Sequence, residues 1–270
     1  MRSSRMPRVG ILTGSTALTA AFALAFAAAA MPANAATVNY VALGDSYSSG
    51  VGAGNYYSSS GSCDRSPNAY PALWAAANSV TTFTFAACSG AKVADVISSQ
   101  LSALSSSTTL VSFTIGGNDA GFSSIMESCI LSSTSTCESD IASAEASINA
   151  TLPGKLATLL SDVHAAAPAA RVVVLGYPDF YDLSVSFCLG LSSGDHKAID
   201  AGINDLDGIL ATAAANNGAV FADPRPKFSG HELCDGSGWL NSLTIPIGSS
   251  YHPTAKGQAS GYLPTFTAAA

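Results

Sequence analysis

Short apolar runs alternate along the chain with longer stretches whose apolar residues recur at helical spacing. The runs at 39–43, 81–86, 110–115, 171–176 and 219–222 have strand length. The fourth is almost continuous, with Val172, Val173, Val174 and Leu175 in a row. Strands buried on both faces lose polar alternation, so these runs predict a parallel sheet covered on both sides. Between them, Tyr70–Ala77, 92–104, 139–167, 195–215 and 254–267 read as helices. In the longest, Ile141, Ile148, Leu152, Leu156, Leu159 and Val163 make one apolar stripe. Pro168 and Gly218 stand just past two helix ends, where breakers belong. Alternation of strands and helices predicts an α/β fold around a central, mostly parallel five-stranded sheet. The Ser-rich stretches 58–62 and 105–109 read as surface loops, and neither an internal repeat nor a domain linker is evident.

The first residues depart from this alternation. Arg2, Arg5 and Arg8 lead into an Ala-rich apolar run over 11–30, and Ala33-Asn34-Ala35 offers a small-x-small cleavage site. That is the pattern of a secretory signal peptide over 1–35, followed by a single domain over 36–270. An uncleaved anchor is the rival, because the run is long enough to span a bilayer. The small-residue site and the Thr, Ser and Gly interruptions favour cleavage. No twin-arginine pair is present, which points to the general secretory route.

Charge and cysteines fit export. Three of the 11 basic residues and no acid lie before Ala36, so the remainder carries 8 basic against 18 acidic side chains, a net charge of −10. Such a surface repels nucleic acid and anionic lipid at long range. The expected molecule is a secreted, extracellular monomer with no nucleic-acid partner and no stable membrane insertion. Six cysteines in an exported chain read as three disulfides, with a connectivity that sequence alone does not choose. Consecutive pairing, Cys63–Cys88, Cys129–Cys137 and Cys188–Cys234, would staple three loop-rich regions, each contributing about 2–4 kcal/mol. A zinc site is the alternative, but the paired Cys or His spacing it needs is missing.

The candidate chemistry begins where the first strand stops, at Val41-Ala42-Leu43-Gly44-Asp45-Ser46-Tyr47-Ser48-Ser49-Gly50. A serine at that junction can present its hydroxyl at the mouth of a sheet, because ligands bind outside the carboxyl ends of strands. A Ser/Gly turn that merely closes the strand is the plainer reading. A serine nucleophile needs a base, and only four histidines are available. His164, near the end of the longest helix, and His196, at the start of another, read as solvent-facing. His231, beside Glu232, sits in a Gly- and Cys-flanked loop. His252 stands in Ser250-Tyr251-His252-Pro253, just before the last helix, and ranks first. Developing negative charge on an ester oxygen needs donors already in place. Gly90, after the second strand, lets a backbone N–H approach a substrate. Asn118, in Ile115-Gly116-Gly117-Asn118-Asp119 after the third, carries an amide that can donate. Singly, these read as a turn glycine and a helix cap. Jointly, they fall at the ends of successive strands beside Ser46.

In order, Gly44-Asp45-Ser46, Gly90, Gly116-Gly117-Asn118-Asp119 and His252-Pro253 match the sequence blocks of the SGNH hydrolases, the GDSL lipases and esterases. The resemblance runs from about residue 39 to the end. With six cysteines and a Tyr-His-Pro near the C-terminus, the chain looks most like the secreted actinobacterial lipases. The resemblance implies a flavodoxin-like three-layer α/β/α sandwich. It implies Ser46 as nucleophile and His252 as general base and then acid. The backbone N–H groups of Ser46 and Gly90 and the Asn118 side-chain amide would form the oxyanion hole. It also implies the consecutive disulfide pairing and no metal or cofactor.

One position departs from the family. An Asp usually stands three residues before the histidine, and here that residue is Ser249. Some relatives use a backbone carbonyl instead, which implies the Ser250 carbonyl as the group orienting His252. Asp223, Asp235 and Glu232 are the nearby acids to test against that dyad. The Gly-x-Ser-x-Gly signature of ordinary α/β-hydrolases is absent.

The expected substrates are acyl esters, above all triacylglycerols and related lipid esters. Phospholipids, acyl transfer and carbohydrate deacetylation are the alternatives within the family. Tyr56, Tyr57, Phe122, Phe180, Tyr181, Phe187 and Trp239 favour an apolar acyl chain over a sugar, unless they are core packing. The rivals outside the family are a secreted binding module that has lost catalysis and a metalloenzyme built on His231 and Glu232.

Overall fold

The computed structural model describes residues 37–185, 188 and 190–270. The expected signal segment and Phe187 lie outside the described residues. Five strands form one sheet: β1 (Asn39–Ala42), β2 (Thr82–Phe85), β3 (Leu110–Phe113), β4 (Arg171–Leu175) and β5 (Val220–Ala222). The order is β2-β1-β3-β4-β5 and every neighbouring pair is parallel. The inner strand β3 buries all of its residues, which is why its sequence lacks alternation. The edge strand β2 keeps it, with Thr82 and Thr84 exposed and Phe83 and Phe85 half-buried. Strands β1 and β3 end before their apolar runs do. Leu43 and Ile115 belong to the tight turns that Gly44 and Gly116 close, with φ of 114° and 113°. Few residues but glycine adopt that backbone.

The helices are α1 (Ser46–Ser49), α2 (Tyr70–Ala77), α3 (Val93–Asp95), α4 (Phe122–Leu131), α5 (Thr134–Ala166), α6 (Ser193–Asn216), α7 (Arg225–Phe228), α8 (Ala255–Gly257) and α9 (Leu263–Ala269). They cover both faces of the sheet. On one face Tyr40 of β1 packs against Trp74 of α2 and Phe266 of α9, with ring centroids 5.3 and 5.4 Å apart. On the other, Gly116 lies under Leu152 of α5 and Leu206 and Leu210 of α6. The result is the three-layer α/β/α sandwich. Leu152, Leu156 and Leu159 are fully buried, and each such side chain contributes roughly 1.5–3 kcal/mol.

Several boundaries differ from the sequence reading. The helix expected over 92–104 breaks into α3, a π turn at Val96–Gln100 and a 3₁₀ turn at Leu101–Ala103. The last helix is likewise divided, with a π turn at Gln258–Tyr262 between α8 and α9. Residues 58–62 belong to a 3₁₀ turn, Ser58–Cys63, rather than a loop. Helix α4 was not expected at all; it starts after Gly121, whose φ of 79° and missing side-chain cap leave no start signal in the sequence. Helix α5 begins at Thr134, where the Ser133 side chain accepts the Thr136 N–H.

The disulfides are Cys63–Cys88, Cys129–Cys137 and Cys188–Cys234. Among the described residues no helix is long and apolar enough to cross a membrane.

Two glycines in the helical layers make opposite predictions for the same substitution. A Cβ at Gly261 would overlap the ring of Phe228, whereas one at Gly208 on α6 would meet nothing. Gly261→Ala is expected to destabilise by about 1–3 kcal/mol. Gly208→Ala is expected to stabilise by about 0.5–1 kcal/mol. Thermal unfolding should shift down for the first and up for the second, by about 2–4 °C per kcal/mol.

Candidate active site

The chain runs from β1 outward to β2, then crosses back to β3 on the other side of β1. At such a reversal the connecting loops part and leave a crevice outside the carboxyl ends of the strands. Ser46 follows β1, Gly90 follows β2 and Asn118 follows β3. All three line one cleft of about 170 Å³ together with His252, Phe122, Tyr177 and Phe180.

Ser46 opens the single turn α1. Asp45 caps that turn, its Oδ1 accepting the Tyr47 N–H at 3.0 Å. The Ser46 hydroxyl lies 2.8 Å from His252 Nε2. On the far side of the ring, His252 Nδ1 lies 2.9 Å from the Ser250 carbonyl oxygen. A carbonyl can only accept, so Nδ1 carries the hydrogen and Nε2 presents a lone pair to the Ser46 O–H. Burial pushes the His252 imidazole down to about 4, against the opposing pull of the Ser250 carbonyl. The ring is therefore neutral across the ordinary pH range.

The loop that carries His252 is held at several points. The Ser250 hydroxyl accepts the Thr244 N–H at 2.9 Å. The His252 carbonyl accepts from the Asn241 backbone at 2.9 Å and from its side chain at 3.0 Å. The Tyr47 hydroxyl donates to the Tyr251 carbonyl at 2.5 Å. The three acids weighed as partners for His252 are engaged elsewhere. Asp223 pairs with Arg225 at 2.8 Å, Glu232 accepts the His231 N–H and Asp235 accepts the Ser237 N–H. Ser249, at the position where the family carries Asp, donates its N–H to the Pro246 carbonyl.

Three residues with donors to spare line the cleft beside the Ser46 hydroxyl. Gly90 has φ of 79° and open space where a Cβ would stand. Among the described residues neither the Gly90 N–H nor the first helical N–H, that of Ser46, has a protein acceptor. Asn118 spends one amide hydrogen on the Ala91 carbonyl at 3.0 Å and has a second to give. Asp119 anchors this loop, accepting from the Val93 N–H and from Lys155 Nζ, each at 2.9 Å.

Sequence reasoning missed the groups that hold these parts in register. The Asp45 carboxylate is buried and accepts the Thr114 hydroxyl at 2.6 Å and the Tyr177 hydroxyl. Its burial raises its pKa, and those hydrogen bonds oppose the rise. From Thr114 a line of hydroxyls runs through Ser48, Tyr70 and Ser112 to Tyr40. On α6, Asp200 accepts the Phe180 N–H and Asp207 the Tyr177 N–H, each at 2.9 Å, fixing the segment that walls the cleft. Burial lifts Asp200 to about 7 and Asp207 to about 8. These partners are distant in sequence, so no local motif marks them.

The other sequence candidates lie elsewhere. His164 bonds the Asn217 carbonyl through Nε2 at 2.9 Å. His196 is not solvent-facing; it is buried and stacked 3.9 Å from Tyr181. His231 stacks 3.8 Å from Trp239. None of the three lines the cleft. Phe122 and Phe180 do line it, Tyr181 and Trp239 pack in the core, and Tyr56 and Tyr57 are exposed. Among the described residues no three His, Cys, Asp or Glu side chains gather where they could hold a metal ion.

Comparison with known proteins places the chain in a family. Residues 42–259 match the model of the GDSL-like Lipase/Acylhydrolase family. The chain is 55% identical over 272 residues to Lipase 1 of Streptomyces coelicolor, covering 100% of each. It is 51% identical over 266 residues to a lipase of Streptomyces rimosus, covering 98% of this chain and 99% of that one. The crystal structure of phospholipase A1 from Streptomyces albidoflavus superposes with a TM-score of 0.85 at 51% identity, over 87% of this chain and 100% of the other. With residues 42–259 matching the family model and nearly its whole length shared with the two Streptomyces lipases, the chain belongs to the GDSL-like lipase/acylhydrolase family.

Proposed function

We propose that the protein is a secreted serine hydrolase of acyl esters, a lipase or esterase working through a Ser46–His252 dyad. The observation that carries this reading is the 2.8 Å contact between His252 Nε2 and the Ser46 hydroxyl, made by a ring whose other nitrogen is tied to a carbonyl. In the first half-reaction Ser46 Oγ attacks the ester carbonyl carbon and its proton passes to Nε2. The Ser46 and Gly90 N–H groups and the Asn118 amide stabilise the oxyanion that forms. His252 then gives the proton to the departing alcohol oxygen, leaving an acyl-Ser46 ester. Water attacks that ester with Nε2 again taking a proton, and the carboxylic acid leaves. The Ser250 carbonyl fixes the imidazole tautomer and, being neutral, stabilises the imidazolium less than a carboxylate would. No step requires a metal or a cofactor.

The apolar walls Phe122 and Phe180 favour an acyl chain over a sugar. Among the relatives, one phospholipase A1 stands beside two named lipases at 51–55% identity, so phospholipid is the second substrate reading. The three disulfides and the basic, then apolar, N-terminal pattern support secretion. Fatty-acid release from emulsified triacylglycerol and from position-labelled phosphatidylcholine, with Ser46→Ala as the blank, tests both readings. Release that persists in the blank would defeat the mechanism.

Four outcomes are expected. Ser46→Ala and His252→Ala each lower turnover by roughly 10³-fold or more, and the double variant is little worse than either, because the two act as one unit. Asn118→Ala costs about 10²–10³ in kcat with a smaller change in KM. Replacing Asp223, Asp235 or Glu232 leaves kcat within a few-fold; a large loss at one of them, with the fold intact, would mean that a carboxylate assists His252. Protonating Nε2 removes the base, so with His252 lowered to about 4 kcat/KM on a soluble ester is expected to stay level from neutrality to about pH 5, to be halved near pH 4 and to keep falling below it.

A further inference from the structure

Exposed apolar side chains are unevenly placed on this molecule. Leu131, Leu243, Ile245 and Ile247 are each more than half exposed. Leu131, Leu243 and Ile247 line a groove of about 440 Å³ between the end of α4 and the loop that carries Ser250. Ile245 lies in the chain between two of them and is 96% exposed. Single exposed apolar residues are ordinary, whereas a contiguous set marks a contact surface. The groove is continuous with the catalytic cleft, since Phe122, Ser123, Gly248 and His252 border both.

We propose that this groove and its apolar rim form the face by which the enzyme docks on an uncharged or zwitterionic lipid surface, so that an acyl chain slides from that surface along the groove to Ser46. The proposal rests on the lipid-ester reading above. Charge selects the occupant. Among the described residues Glu127 is the one carboxylate bordering the groove, and no lysine or arginine borders it. A surface without cations has nothing to hold an anionic headgroup, and the acidic exterior repels one. Apolar side chains that enter the acyl boundary bind in proportion to the apolar area they bury, without needing lipid charge. The direction of the groove, from the rim to His252, makes the docked face and the route of the substrate the same surface.

The test uses the full chain with Ile245→Asp and, separately, Leu131→Asp, which stands across the groove on α4 and away from the histidine loop. Binding to phosphatidylcholine vesicles is read by flotation in a Ser46→Ala background, which leaves the lipid intact. Turnover is read with Ser46 present, on emulsified triacylglycerol and on a soluble short-chain nitrophenyl ester. Each substitution is expected to weaken vesicle binding and emulsion turnover by about tenfold or more, since a buried apolar side chain becomes a charge at the interface. Turnover of the soluble ester should stay within about twofold. Unchanged vesicle binding in both variants overturns the proposal. So does binding by the parent chain that appears only with phosphatidylglycerol vesicles. A parent chain that sediments as a dimer, and that either substitution makes monomeric without loss of vesicle binding, would assign the face to a second copy. Loss of soluble-ester turnover in both variants would make the rim part of the catalytic fold and overturn it as well. Absence of soluble-ester turnover in the parent chain would instead strike at the esterase reading itself.

Discussion

A buried carboxylate holds the parts of this site together. Asp45 leaves β1 with almost no exposure and must find donors for an anion that water no longer solvates. It finds them on three separate pieces of chain: its own helical turn through the Tyr47 N–H, the end of β3 through Thr114, and the segment after β4 through Tyr177. Leaving one such partner unmade would cost about 1–3 kcal/mol. The strand ends are therefore not free to slide past one another. Ser46, the next residue, inherits its position from that constraint.

The histidine is fixed by a different logic. Its Nδ1 partner is a neutral carbonyl from its own loop, two residues upstream. Sequence-local orientation of this kind needs no distant carboxylate, and it leaves the imidazole buried and neutral. Two further acids that burial perturbs, Asp200 and Asp207, sit behind the wall of the cleft and hold backbone N–H groups of residues 177–181. The acidic groups of this site thus support its backbone, and in the proposed mechanism the proton transfers would rest on a serine and a neutral ring.

Much of this was legible from sequence. The apolar runs located the five strands because buried parallel strands need nothing else, and α2 ran from Tyr70 to Ala77 as its spacing indicated. The glycine turns after successive strands pointed to one crevice. What stayed hidden depended on partners far along the chain. Ser48, Thr114 and Ser112 look like surface residues in composition, and only the folded chain shows them joined to Tyr70 and Tyr40. His196 read as a helix-surface residue because its companion, Tyr181, lies on another element. Helix α4 begins on a left-handed glycine instead of a capping side chain, so the helix that walls both the cleft and the groove carried no start signal. The broken helix at 92–104 had sufficient apolar spacing for one continuous helix, yet Gln100 turns inward to bond both the N–H and the carbonyl of Gly44.

The Cys63–Cys88 bridge stands two residues before Gly90, and the Ser89 N–H donates to the Cys63 carbonyl beside it. The strand-end loop bearing the Gly90 N–H is thus sewn to a distant turn by a bond that persists only in oxidising surroundings. Redox conditions thereby decide whether that tether is present. In a reducing compartment the same polypeptide would hold that loop by hydrogen bonds alone, and the covalent tether would arrive only once the chain reached an oxidising one.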